Sequence, residues 1–421
     1  MSEVKDLHNL VIERIETLNT PNTKKLSIIL IGPPVSTRSS FTHVLKNMLT
    51  YFSKQNHKVF YFRTFEHNNN LDTKLIPANI ELKSGNMEKL LELIQLTKPD
   101  LLFFSDYPEI TDGILTQIQK KEIPQPFHVW QYFKPQSNVL SNQMIDWLSK
   151  KTDRIFVPFD LNEQKLKEVL GKKMDILYIP VSTNYFTMER DSVERIIDVS
   201  NVSRGKFRWL CPDRFNETSQ IDTVVSAFAK YVTQDDHKED QLLLLGNMGD
   251  FDSFPVFDIY TNEILNLGKD INDYVSNLII LNPDSAANIT EEQLNILYNS
   301  CDYVVSSRNF CCHSFSLLNL ASLGLPMLLP NHTWFSNLAN DYSGVTLQPI
   351  HHAQYNTISS FGIKYFVNPV SLSEKMSELR QSQQANKNSP TTKLQIHQKY
   401  ENFTNLLDKR IQILQLEASP N

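Results

Sequence analysis

Short apolar runs return along almost the whole chain, and the stretches between them carry apolar residues at helical spacing. Alternation of this kind marks β-α-β units, in which parallel strands are joined by helices that cover the sheet faces. The first series comprises Leu26–Ile31, Lys58–Phe62, Leu101–Ser105, Phe127–Trp130, Arg154–Val157 and Ile176–Ile179. After the polar stretch Met188–Lys206 a second series runs through Phe207–Cys211, Leu242–Leu245, Leu278–Leu281, Tyr303–Val305, Met327–Leu329 and Lys364–Val367. Two series predict two α/β Rossmann-like domains, one over 25–187 and one over 207–380. An amphipathic helix over 1–24 (Val4, Leu7, Val11, Ile15, Leu18) is expected ahead of them. The low-complexity segment Gln381–Pro390 leads into a last helix over 391–416 (Ile396, Tyr400, Phe403, Leu407, Ile411, Leu414), a candidate to pack back on the N-terminal domain.

Length and charge agree with this division and exclude other classes. At 421 residues the chain exceeds one ordinary core, and 41% hydrophobic with 21% charged residues is a globular composition. A net charge of -6 without a long Lys/Arg run argues against a nucleic-acid partner. Cys211, Cys301, Cys311 and Cys312 make no disulfide framework, so a reducing, cytoplasmic setting is expected. Glu3 and Asp6 interrupt the first apolar residues, unlike a signal peptide, and no run is long enough to span a bilayer. Any membrane contact is therefore expected to be peripheral. Only 11 glycines occur, which limits glycine-rich phosphate loops.

In open parallel sheets, ligands bind beyond the carboxyl ends of the strands, where loops and helix N-termini converge. Two such edges facing each other would make a cleft. The landmarks around those expected edges carry a family resemblance. Ile28-Ile29-Leu30-Ile31-Gly32-Pro33-Pro34 reads as a first strand and its loop, and Ile179-Pro180-Val181-Ser182-Thr183-Asn184-Tyr185-Phe186 as a domain junction. Asp213-Arg214, Asp222 and Ala227-Phe228 follow the first strand of the second half. Tyr298, Asp302, Cys311, Asn319, Ala321, Gly324 and Pro326 mark a strand, a loop and a helix. In this order, from about Ser27 to Met376, the chain resembles the family-4 retaining glycosyltransferases, whose fold is GT-B: two Rossmann-like domains facing across a cleft.

The resemblance implies transfer of a sugar from a nucleotide-diphosphate sugar to an acceptor glycan, lipid or protein, with retention of configuration and without a metal or other cofactor. It implies a donor site of Arg214, Cys312, His313, Ser314, Phe315, Ser316 and Asn319. Arg214 would grip the diphosphate, because a guanidinium meets two phosphate oxygens at once. Residues 312–316 would present a helix N-terminus to phosphate and sugar, although Ser314 is equally readable as a simple helix cap. Asn319 would meet the ribose hydroxyls. The acceptor side would comprise Gly32, Pro33 and Ser36, with His128 as the candidate catalytic residue; a hydrogen-bonded structural histidine is the other reading of His128.

Asn319 and Cys311 stand where the family has two glutamates, and Ser219 where it has a lysine. These replacements motivate the alternative of a GT-B-like binding or scaffold protein without transfer chemistry. Two further patterns are weaker. Gly32–Ser39 departs from a nucleotide-binding P-loop at Thr37 and Arg38. Adjacent Cys311, Cys312 and His313 cannot easily occupy three corners of a tetrahedral zinc site.

Overall fold

The apolar runs become strands buried on both faces, which explains why they read as continuous rather than alternating. The computed structural model describes residues 24–35, 40–64, 76–124, 126–134, 141–158, 168–177, 186–189, 192–193, 206–213, 215, 219–245, 255–281, 291–309, 314–356, 361–382 and 403–415. The expected helix over 1–24 lies outside them, apart from Lys24. By internal contacts the chain divides into two units, Met1–Lys134 with Asn142–Pro180 and Glu401–Asn421, and Pro135–Ser141 with Val181–Tyr400.

In chain order the first unit contains β1 (Ser27–Gly32), α1 (Ser40–Ser53), β2 (Lys58–Arg63), β3 (Glu81–Ser84), α2 (Met87–Thr97), β4 (Leu101–Phe104) and α3 (Pro108–Lys120). It continues with β5 (His128–Tyr132), α4 (Asn142–Lys151), β6 (Arg154–Val157) and β7 (Met174–Ile176). All seven strands are parallel, in the order β3-β2-β1-β4-β5-β6-β7. The chain thus moves from β1 toward one edge and returns to the other side of β1 for β4. One sheet face carries Ile29, Ile31, Phe60, Phe62, Leu102 and Phe104 against the apolar sides of α2 and α3.

The second unit contains β8 (Arg208–Cys211), α5 (Ile221–Val232), β9 (Gln241–Leu245), α6 (Val256–Asn266), β10 (Leu278–Leu281), α7 (Glu291–Asn299) and β11 (Tyr303–Val305). Then come α8 (Phe315–Ser322), β12 (Met327–Pro330), α9 (Thr333–Asp341), β13 (Val345–Gln348), β14 (His351–Asn356), β15 (Phe361–Phe366) and α10 (Pro369–Gln381). Six parallel strands form the order β10-β9-β8-β11-β12-β13, which reverses between β8 and β11 as the first sheet does between β1 and β4. Central Trp209 anchors the core, ringed by Phe207, Tyr231 and Tyr303 at centroid distances of 5.6, 5.9 and 5.1 Å.

Two expectations about strands need correction, and one strand was not expected. The sixth strand of the second sheet is β13, not Lys364–Val367, whose residues up to Phe366 belong to an antiparallel hairpin of β14 with β15. The last strand of the first sheet is β7, earlier than Ile176–Ile179. The edge strand β3, with its exposed-to-half-buried alternation, joins the sheet without an apolar run to announce it.

A last helix, α11, spans 403–415 and belongs to the first unit. Phe403, Leu407, Ile411 and Leu414 are buried, a spacing of three and four residues that makes one apolar stripe. The Tyr51 hydroxyl donates to Asp408 at 2.6 Å, Arg410 pairs with Asp175, and the Gln415 amide donates to the Lys24 carbonyl at 2.9 Å.

Candidate functional site

Each sheet reverses its strand order once, and at such a point neighbouring loops diverge to leave a crevice at the carboxyl edge. In the first unit the crevice lies between β1 and β4. Gly32 ends β1 where a Cβ would come within 2.7 Å of the Ser105 carbonyl and 2.6 Å of Leu45 Cδ1. This glycine is therefore required by packing of β1 against the end of β4. Gly32→Ala is expected to cost about 1–3 kcal/mol, since a backbone oxygen cannot swing aside. An unchanged thermal midpoint would sink that account. The adjacent Pro33 carbonyl accepts from Tyr61 at 2.5 Å.

Asp106 follows β4 at the same edge. It is a buried carboxylate that accepts from the Tyr107 N–H at 2.8 Å and the Thr64 hydroxyl at 3.1 Å. Burial pushes its carboxyl above the ordinary range, and those two hydrogen bonds pull the other way. Nothing in the local sequence separates Asp106 from a turn residue after a strand; its place beside Gly32 arises from strand order.

His128 is misplaced in the expectation above. It opens β5, paired with Leu101, and so stands at the amino edge of the sheet, opposite Gly32 and Pro33. The apolar run seemed to end at Trp130 because Gln131 is polar. Gln131 is nevertheless buried, donating to the Asp106 and Tyr132 carbonyls at 2.9 and 2.8 Å and accepting from Thr111 at 2.8 Å. The strand therefore continues to Tyr132, and the carboxyl end moves away from His128. His128 instead lines a pocket of about 160 Å³ with Arg154, Arg410 and Leu414, beneath α11.

In the second unit the crevice lies between β8 and β11. Asp213, 1% exposed, follows β8 and takes the Arg308 guanidinium at 2.7 Å on one oxygen. Its other oxygen takes the Ser306 hydroxyl at 2.5 Å. Ser307 donates to the carbonyls of Gln220 and Ser219 at 2.6 and 3.2 Å, tying the start of α5 to the end of β11. His332 binds the Arg308 carbonyl through Nε2 at 2.7 Å; a carbonyl only accepts, so Nε2 carries the proton. The ring lies parallel to Tyr365 at 4.6 Å, and burial holds its pKa down at about 4, against the carbonyl contact that raises it.

The connection from β11 leads to α8. Ser314 caps this helix, its hydroxyl accepting from the Leu317 N–H at 3.4 Å, so the capping role expected for it is present. Phe315 and Ser316 form the half-buried first turn. One turn on, Asn319 shares a face with Ser316. Asn319 is 7% exposed, and its Oδ1 has no hydrogen-bond partner among the described residues. An acceptor stranded in this way costs about 1–3 kcal/mol unless an outside donor meets it. Of the other expected residues, Ser36, Arg214, Cys312 and His313 lie outside the described residues. Among the described residues no group of three or more His, Cys, Asp or Glu could hold a metal ion, and no helix is long and apolar enough to cross a membrane.

Comparison with solved structures decides the architecture. A glycosyltransferase from Rickettsia africae ESF-5 aligns over 94% of this chain and 100% of its own, with a TM-score of 0.64 and 15% identity. Sucrose-phosphate synthase from Thermosynechococcus elongatus aligns over the same shares, with a TM-score of 0.64 and 12% identity. The fold is GT-B. The E. coli trehalose-6-phosphate protein bound with UDP-2-fluoro glucose also shares the GT-B fold, at a TM-score of 0.55 and 9% identity, over 92% of this chain and 99% of that one. No family model matches the sequence, and no curated protein matches it. At such identities, likeness within the GT-B fold speaks for architecture, and chemistry has to be argued from the residues.

Proposed function

We propose that the chain is a glycosyltransferase that moves a sugar from a nucleotide-diphosphate sugar to an acceptor hydroxyl. The observation that carries this reading is the buried, unpartnered Oδ1 of Asn319 beside the start of α8. A ribose hydroxyl is a donor of the right kind, and a helix N-terminus alongside favours phosphate through its N–H groups and dipole. The structural neighbour holding UDP-2-fluoro glucose supports the same ligand class. In this reading Arg214 grips the diphosphate, residues 312–316 face phosphate and sugar, and Gly32, Pro33 and Ser36 belong to the acceptor side. Cationic side chains and the helix N-terminus carry the charge of the leaving diphosphate, so no metal is needed.

A panel of nucleotide sugars and their nucleoside diphosphates, scored by thermal shift and then by transfer or donor hydrolysis, tests the proposal. A ligand at about 100 times its Kd should add about 2.7 kcal/mol of stability. Asn319→Leu removes the stranded acceptor, so the free protein should hold its stability while both nucleoside and nucleoside diphosphate bind about tenfold or more weakly. No stabilisation by any member of the panel would reject the enzyme and favour the scaffold reading, to which buried Ser219 in the place of a phosphate lysine already points.

A further inference from the structure

We infer that Arg308 is a diphosphate-binding residue of the second unit, positioned by Asp213. This rests on the nucleotide-diphosphate reading above and adds a residue to it. The site expected from family resemblance lacks one cation, because Ser219 replaces a lysine. The structure shows that Ser219 is buried, with its carbonyl engaged by Ser307. Arg308 brings a permanent positive charge to the same edge from the β11–α8 connection.

Three observations place it there. First, Asp213 follows β8 and Arg308 follows β11, so their 2.7 Å pair spans the two strands between which the sheet order reverses. That is where an open parallel sheet binds its ligand. Second, the backbone around Arg308 is held from both sides. His332 binds its carbonyl at 2.7 Å, and its N–H donates to the Ser306 hydroxyl at 3.3 Å. Third, the Arg308 side chain is 20% exposed whereas Asp213 is 1% exposed, so the pair is anchored at a buried carboxylate and reaches solvent on the arginine side. A guanidinium has five donors in a rigid fork and accommodates a carboxylate on one side and phosphate oxygens on another. Asp213 removes part of the charge but fixes the orientation, which reduces the ordering cost of binding.

Calorimetric titration of UDP, GDP, ADP and TDP, each beside its plain nucleoside, tests the assignment in wild type, Arg308→Gln and Arg308→Lys. The readout is the ratio of diphosphate to nucleoside affinity, which a merely structural residue would not move. Arg308→Gln should lower that ratio by about 10–100-fold, with nucleoside affinity within about twofold. Arg308→Lys keeps the charge and loses the fork, so a smaller drop is expected; it also serves if the glutamine variant does not fold. A folded variant that keeps the wild-type ratio overturns the role of Arg308 while leaving the nucleotide reading standing. Wild type that binds none of the four diphosphates overturns both.

Discussion

Trp209→Ala is expected to destabilise the second unit by about 3–5 kcal/mol, the range for emptying a large aromatic site in a packed core. Trp209 is 0% exposed and sits on β8, between β9 and β11 in the middle of the sheet. Its ring packs against Phe207 just before β8, Tyr231 on α5 and Tyr303 on β11. Removing it opens a void that none of these can fill without leaving its own rotamer. Because the chain has two units, unfolding need not be two-state, and one midpoint can move without the other. Urea unfolding followed by circular dichroism, with Trp209→Phe as the milder substitution, checks this. A loss below about 1 kcal/mol for Trp209→Ala would contradict the packing account.

His332 supplies the second large effect, as a pH dependence. Its pKa is about 4 in the folded chain, lowered by burial from an ordinary 6.5. The unfolded chain therefore binds the proton first as pH falls. The contribution is complete above about pH 6.5, declines through the window down to about 4 and is gone below it, amounting to about 3 kcal/mol. Carboxylates titrate in the same window, so the useful quantity is the difference between wild type and His332→Gln. The glutamine keeps a donor for the Arg308 carbonyl and does not titrate. Urea midpoints at pH 7.5 and 4.5 should fall further for wild type than for the variant. Parallel falls would show that His332 is charged, or exposed, in the folded protein.

The centre of each sheet was legible in the sequence and its margins less so, for a physical reason. Strands such as Leu101–Phe104 and the Leu242–Leu245 run of β9 lie between two other strands and are almost wholly buried, so their composition is apolar. β3 and β13 lie at sheet edges, half in solvent, and their residues carry no continuous apolar signal. The helix start at Ser314 was readable because a cap is a local event. The pair of Asp213 with Arg308 was not, since it joins residues distant in the chain through strand order alone. His128 shows how a small error propagates: the buried amide of Gln131 satisfies all its neighbours, passes for a strand end in sequence, and so reverses the side on which the histidine falls.

The attachment of α11 to the first unit also bears on synthesis. The surface that receives Phe403, Leu407, Ile411 and Leu414 is made early by the ribosome, whereas the helix that covers it is made only after the second unit. Translation of the intervening unit takes on the order of ten seconds to a minute. Throughout that interval the nascent first unit carries an uncovered apolar strip and an unpaired Asp175, and it is then that a chaperone would find most to hold.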